Sequence, residues 1–116
     1  PRTCGGHPGS GGYEFEDAKL FASWGVDMVK VDACYKNEDY KVTLPRWRKW
    51  RDALNATGRA IYFSAVPGRP YSSIVMPSIV NSWRIGMDDG GNGNGWMDTL
   101  NHASQLSVYA GPGAAE

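Results

Sequence analysis

The sequence lacks what several broad classes of function require. Twelve basic residues cancel twelve acidic ones, so there is no surplus of positive charge to hold a nucleic-acid backbone or an anionic membrane surface. No apolar run is long enough to span a bilayer, no signal peptide is visible within the range given, and no unit repeats at a fixed period. Histidine is scarce. His7 lies in a glycine-rich loop and His102 in a helical run, with no second His or Cys at ligand spacing, so neither a metal nor another cofactor is indicated. The glycines from Gly90 to Gly95 lack the lysine and spacing of a phosphate-binding loop, and no G-x-G-x-x-G follows the first strand-like run. Cysteine is limited to Cys4 and Cys34, which permits one disulfide and therefore an oxidising compartment. The triplet Asn55-Ala56-Thr57 is an N-glycosylation acceptor pattern and points the same way.

The rest of the chain is organised around Val26 to Cys34, V-D-M-V-K-V-D-A-C. Its alternation has the period of an extended strand, placing Met28, Lys30, Asp32 and Cys34 on one face and Val29, Val31 and Ala33 on the other. Such a strand is expected to be parallel and covered on both faces, with a polar site at its carboxyl end. A Lys-Asp pair that only satisfies itself would leave the same pattern.

Before this strand, residues 1–12 hold five glycines and two prolines and read as a loop. Tyr13 to Trp24 has helical spacing at Phe15, Ala18, Phe21 and Ala22, acidic residues in its first turn, and Gly25 as a stop. After the strand, Tyr35 to Lys41 reads as a polar loop. Thr43 then caps a second helix striped by Leu44, Trp47, Trp50 and Leu54 and ended at Gly58. Its basic residues Arg46, Arg48, Lys49 and Arg51 read as a solvated outer face.

Residues 60–66, rich in β-branched and aromatic types, form a second strand that Pro67 to Pro70 turns away. A short helix from Ser72 is interrupted at Pro77. A third strand begins near Asn81, with Ser82, Arg84, Gly86 and Asp88 expected on one face. The last helix runs from Trp96 to Tyr109 with Trp96, Leu100, Ala103 and Leu106 or Ser107 on its buried side, and His102 on its surface. Strand, helix, strand, helix, strand, helix is the pattern of a parallel α/β sheet, fewer units than a closed barrel needs. With Pro1 at one end and no closing helix at the other, residues 1–116 read as part of one domain, truncated at both ends. Most of the five tryptophans and six tyrosines are expected in the core, although aromatic excess also suits sugar-binding clefts.

Several runs, in order, resemble the melibiase family, glycoside hydrolase family 27. They are Thr3-Cys4, Pro8-Gly9-Ser10, Gly12-Tyr13-Glu14, Ala22 to Asp27, Lys30-x-Asp32-x-Cys34, Leu54 to Arg59, Asn81 to Arg84 with Asp88 four residues later, and Tyr109 to Gly113. Their order and spacing persist over nearly the whole chain. The resemblance implies a (β/α)8 barrel, of which this chain holds about the fourth to sixth strand-helix units. It further implies retaining hydrolysis of an α-linked galactoside, in an oligosaccharide or glycoconjugate, by a secreted or lysosome-like enzyme.

Under that resemblance Asp32 is the nucleophile and Asp88 the acid/base, with Asp89 a disfavoured neighbour. Lys30 and Arg84 hold sugar hydroxyls, Lys30 also helps keep Asp32 ionised, and Cys34 lies at the substrate rim while bridged to Cys4. Two departures stand out. Ser64 is followed by Ala65-Val66-Pro67 where many family members carry Cys-Glu-Trp against the sugar's 2-substituent, and Ala114-Ala115-Glu116 replaces the usual continuation. An α-N-acetylgalactosaminidase, a β-L-arabinopyranosidase and a non-catalytic carbohydrate-binding relative are the alternatives.

Overall fold

The computed structural model describes residues 2–34, 40–67, 72–86, 95–109 and 114–115. Four strands, β1 (Met28–Asp32), β2 (Tyr62–Val66), β3 (Ser82–Trp83) and β4 (Ala114–Ala115), form one sheet in chain order with every pairing parallel. The connections carry α1 (Glu14–Ser23, ahead of β1), α2 (Tyr40–Ala56), α3 (Ser72–Val75) and α4 (Gly95–Gln105). This is the partial α/β barrel pattern expected from the sequence. β4 is an addition to it: the sequence reading ended the chain without a fourth strand.

Gly25 and Gly58 end α1 and α2 as expected. Both have positive φ, 76° and 73°, a conformation that glycine adopts without a Cβ clash. Thr43 does not cap α2, because the helix already runs from Tyr40, and Pro45 sits inside it. The core lies between the sheet and the helices and gathers Val29, Phe63, Ala65 and Trp83 from the strands with Trp47, Trp50, Ala53 and Leu54 from α2. Three of the five tryptophans are thus core, while Trp24 and Trp96 stay exposed. Trp83 is fully buried, and its indole Nε1 is the one buried side-chain donor without a partner among the described residues.

Three expectations are corrected. β1 is covered on one face only: Val29 is buried, whereas Met28, Lys30 and Asp32 are exposed. β1 is the edge of the sheet, and the inner face of a barrel is covered only where strands stand opposite it. In α4 the stripe facing the sheet is rotated. Ala103 and Leu106 pack on the core and Thr99 and His102 are half-buried, while Trp96 and Leu100 remain exposed. The basic face of α2 is more than solvated. Lys49 Nζ pairs with the Glu14 carboxylate, and Arg51 donates to Ser78 O as well as to Asp52.

Glu14 is only 4% exposed, and both of its carboxylate oxygens accept the Gly12 N–H at 3.1 Å. It therefore joins the N-terminal loop and α1 to α2. Burial pushes its carboxyl up, but the bonds from Lys49, from its own backbone N–H and from Gly12 outweigh burial, so the net shift is downward. At the opposite end of the sheet, Arg59 Nε donates to Val26 O at 3.0 Å and Nη2 to Gly25 O at 2.9 Å, with Asp27 completing the clamp. The end of α2 thereby grips the entry to β1.

Two predictions arise. A carboxyl lowered by folding contributes stability that is present above its ordinary value of 4.5 and is lost as pH falls through the folded value. Thermal midpoints measured from pH 7 downward should therefore fall more steeply for the native chain than for Glu14→Gln, which should be less stable at pH 7 by about 1–2 kcal/mol. Equal slopes would remove Glu14 from the acid response. The second concerns the open edge of β1: the 116-residue chain expressed alone should associate, as read by size-exclusion chromatography with light scattering. A monodisperse, cooperatively melting monomer would contradict this.

Candidate active site

Parallel pairing brings the carboxyl ends of the strands to one rim, where polar side chains can gather without disturbing the core. The register places Lys30 beside Ser64 and Ser64 beside Ser82, so one row of one sheet face carries an ammonium and two hydroxyls. One row nearer the rim, Asp32 stands beside Val66. Lys30 and Asp32 therefore share a face, as their spacing required. Ser64 and Ser82 are buried, and Lys30 and Asp32 are open to solvent.

The disulfide expected between Cys4 and Cys34 is present, with Cα atoms 5.0 Å apart and a sequence separation of 30. It reaches from the N-terminal loop to the position two past Asp32. A carboxylate oxygen of Asp32 and both sulfurs lie within 4.8 Å of one another. With both sulfurs bonded together, neither offers a thiolate to a metal, so the cluster reads as a braced carboxylate. The loop carrying Cys4 is itself closed. Thr3 N donates to His7 O at 2.8 Å, His7 N to the Thr3 hydroxyl at 3.1 Å, and Arg2 bridges Pro8.

A hollow of about 600 Å³ runs along the unpaired edge of β1. Its lining includes Thr3, Lys30, Asp32 and Cys34 as well as Phe21, Val29, Trp47 and Trp50. The core residues among them belong to the flank that an edge strand leaves uncovered; Lys30 and Asp32 are the lining groups that share one face of β1.

Arg84 lies just beyond β3. Its N–H donates to Ala65 O at 2.9 Å and its Nε to Gly86 O at 2.9 Å. The regular ladder ends at Trp83, so the period-two face drawn from Ser82 through Gly86 does not continue as strand. Asp88 and Asp89 lie outside the described residues, as do most of the glycines of 90–95 and the turn at 68–70. Asn55 is exposed in the last turn of α2. The nearby Thr57 hydroxyl donates to Leu54 O at 2.7 Å and accepts Arg59 N–H at 3.2 Å, a helix-ending role for the same triplet. The anchors that sequence reasoning missed are Glu14–Lys49 and the Arg59 clamp. Their signal was present as motif residues, Glu14 within Gly12-Tyr13-Glu14 and Arg59 closing Leu54 to Arg59, but partners across 32 to 35 positions are not visible from spacing.

A family model described as Melibiase_2, Alpha galactosidase A, matches residues 1–87, ending one position before Asp88. Alpha-galactosidase 3 of Arabidopsis thaliana is 39% identical over 112 residues, which is 96% of this chain and 25% of that protein. Alpha-galactosidase 1 of Saccharomyces cerevisiae is 40% identical over 90 residues, 74% of this chain and 19% of that one. The chain thus spans about a quarter or less of the length of these curated relatives. Among solved structures, a candidate alpha-galactosidase/melibiase from Bacteroides fragilis superposes with a TM-score of 0.88 at 37% identity, over 99% of this chain and 26% of that one. An α-galactosidase from Saccharomyces cerevisiae, solved with raffinose, does so with a TM-score of 0.80 at 29% identity, over 99% and 31%. A GH27 β-L-arabinopyranosidase from Geobacillus stearothermophilus gives 0.76 at 26% identity, over 90% and 25%.

The closed loop of 30 residues predicts that reducing the Cys4–Cys34 bond, or replacing both by serine, lowers stability by about 3–4 kcal/mol in the chain-entropy model. Calorimetry with and without reductant measures it. An unchanged midpoint would mean that the bridge braces nothing.

Proposed function

The chain belongs to the melibiase-type α-galactosidase family, glycoside hydrolase family 27, and from that premise we propose that the full-length protein is a retaining glycosidase releasing terminal α-linked galactose. The observation that supports this most directly is the braced carboxylate of Asp32. It lies at the carboxyl end of β1, on the same face as Lys30 and beside the disulfide.

In this reading the Asp32 carboxylate attacks the anomeric carbon as the bond to the leaving oxygen breaks, and Asp88 gives that oxygen its proton. A covalent glycosyl-Asp32 ester results. Asp88, now ionised, takes a proton from water as the water oxygen attacks the anomeric carbon, which frees Asp32 and returns the sugar with its configuration retained. Lys30 and Arg84 bind sugar hydroxyls as charged donors, and Cys34 contributes the rim. No step needs a metal or another cofactor. The substrate is an α-galactoside of an oligosaccharide or glycoconjugate, and the disulfide favours a secreted or lysosome-like compartment.

A second reading has one specific observation behind it. Ala65-Val66-Pro67 follows Ser64 where many family members carry a Cys-Glu-Trp run, Val66 stands beside Asp32, and one structural neighbour is a β-L-arabinopyranosidase. An α-N-acetylgalactosaminidase falls under the same reading. Hydrolysis of an aryl glycoside panel by the full-length protein separates them, and failure to cleave any α-galactoside would sink the main choice.

Asp32→Asn should lower turnover by at least about a thousandfold while leaving sugar binding within a few-fold. Unchanged turnover would remove Asp32 as nucleophile. Binding of galactose by a protein with no turnover in either form would identify a non-catalytic carbohydrate binder.

A further inference from the structure

We infer that Gly86 is a positioning residue for Arg84, and that it works because Thr99 of α4 leaves no room for a side chain there. A Cβ built on Gly86 would lie 2.7 Å from Thr99 Oγ1, 3.3 Å from its Cγ2 and 3.5 Å from its Cβ. The first distance is far inside van der Waals contact. Thr99 cannot simply turn its hydroxyl away without loss, because Oγ1 donates to Gly95 O at 2.8 Å within the first turn of α4. A rotation would also bring the methyl toward the same space. The backbone of Gly86 therefore lies so close to the β-branched Thr99 side chain that only glycine fits there without a shift.

That contact reaches the site through one hydrogen bond. The Gly86 carbonyl accepts Arg84 Nε at 2.9 Å, which ties the orientation of the guanidinium to the position of the Gly86 backbone. The other end of the segment is fixed by Arg84 N–H on Ala65 O. Gly86 thus sets where the arginine head lies, while its own backbone φ needs no glycine: it is not among the positive-φ glycines. The requirement for glycine is the approach of α4.

This inference rests on the proposed function, since Arg84 matters to catalysis only if it holds a sugar hydroxyl. In the full-length protein, Gly86→Ala should raise KM for an aryl α-galactoside about tenfold with a smaller change in kcat, as expected when a binding group is displaced by a fraction of an ångström. Adding Thr99→Ala removes both close atoms and leaves only the ordinary 3.5 Å contact, so the double variant should regain most of the native KM. Adding Thr99→Ser keeps Oγ1 and should not. In an Arg84→Ala background, Gly86→Ala should have no further effect on KM.

Equal rescue by serine and alanine, or an undiminished effect of Gly86→Ala without the arginine, would overturn the proposal. If Gly86→Ala alone does not fold, the double variant with Thr99→Ala carries the test: native-like KM supports the contact, and failure to fold refutes it. If the native protein cleaves no glycoside, the functional reading fails. The melting temperatures of Gly86→Ala and of its doubles with Thr99→Ala and Thr99→Ser then still decide whether Gly86 and Thr99 are coupled.

Discussion

The parallel register between β1 and β2 is the constraint on which the rest depends. Because Met28 pairs with Tyr62 and Asp32 with Val66, without a break, every polar residue placed on alternate positions of β1 meets a defined neighbour on β2. A shift of one residue would send Lys30 and Asp32 into the core and bring Val29 and Val31 to solvent, a change too costly in buried charge to compete. The apolar residues of one face thus select where the chemistry of the other face stands. Packing and function are two readings of the same alternation.

How much of this was legible in the sequence follows from range. Local signals were reliable: glycines at 25 and 58 that end helices, a β-branched second strand, and the Lys30–Asp32 alternation. Each depends on neighbours within about one helical turn or a few strand residues. Long-range pairings were not legible from spacing. Glu14 read as an ordinary acidic residue of a first turn, and only the packing of α1 on α2 shows that it is buried against Lys49. The rotated stripe of α4 has the same cause. Trp96 and Leu100 are the larger apolar residues, but Ala103 and Leu106 pack on the core and Thr99 lies close to Gly86.

Of the candidate site, the shared face of Lys30 and Asp32 was legible in the alternation and the Cys4–Cys34 pairing in motif order, while Asp88 lies outside the described residues. Alternation alone allowed Lys30 and Asp32 to be an ordinary ion pair at the mouth of a barrel. The braced position of Asp32, with both sulfurs of the disulfide within reach of its carboxylate, gives that residue a setting that a merely solvated aspartate would not need. Beside that carboxylate the register sets Val66, an apolar neighbour on the adjacent strand.

The Arg59 clamp acquires another meaning when set beside the disulfide. One holds the chain as it enters β1, through Gly25, Val26 and Asp27, and the other holds it as it leaves, through Cys34. A beam supported at both ends can bow between its supports but cannot slide along its length. Among the described residues β1 is paired with β2 alone, so these two fastenings add to that one ladder in holding it lengthwise. Fastening both ends therefore protects the register in which Asp32 stands beside Val66.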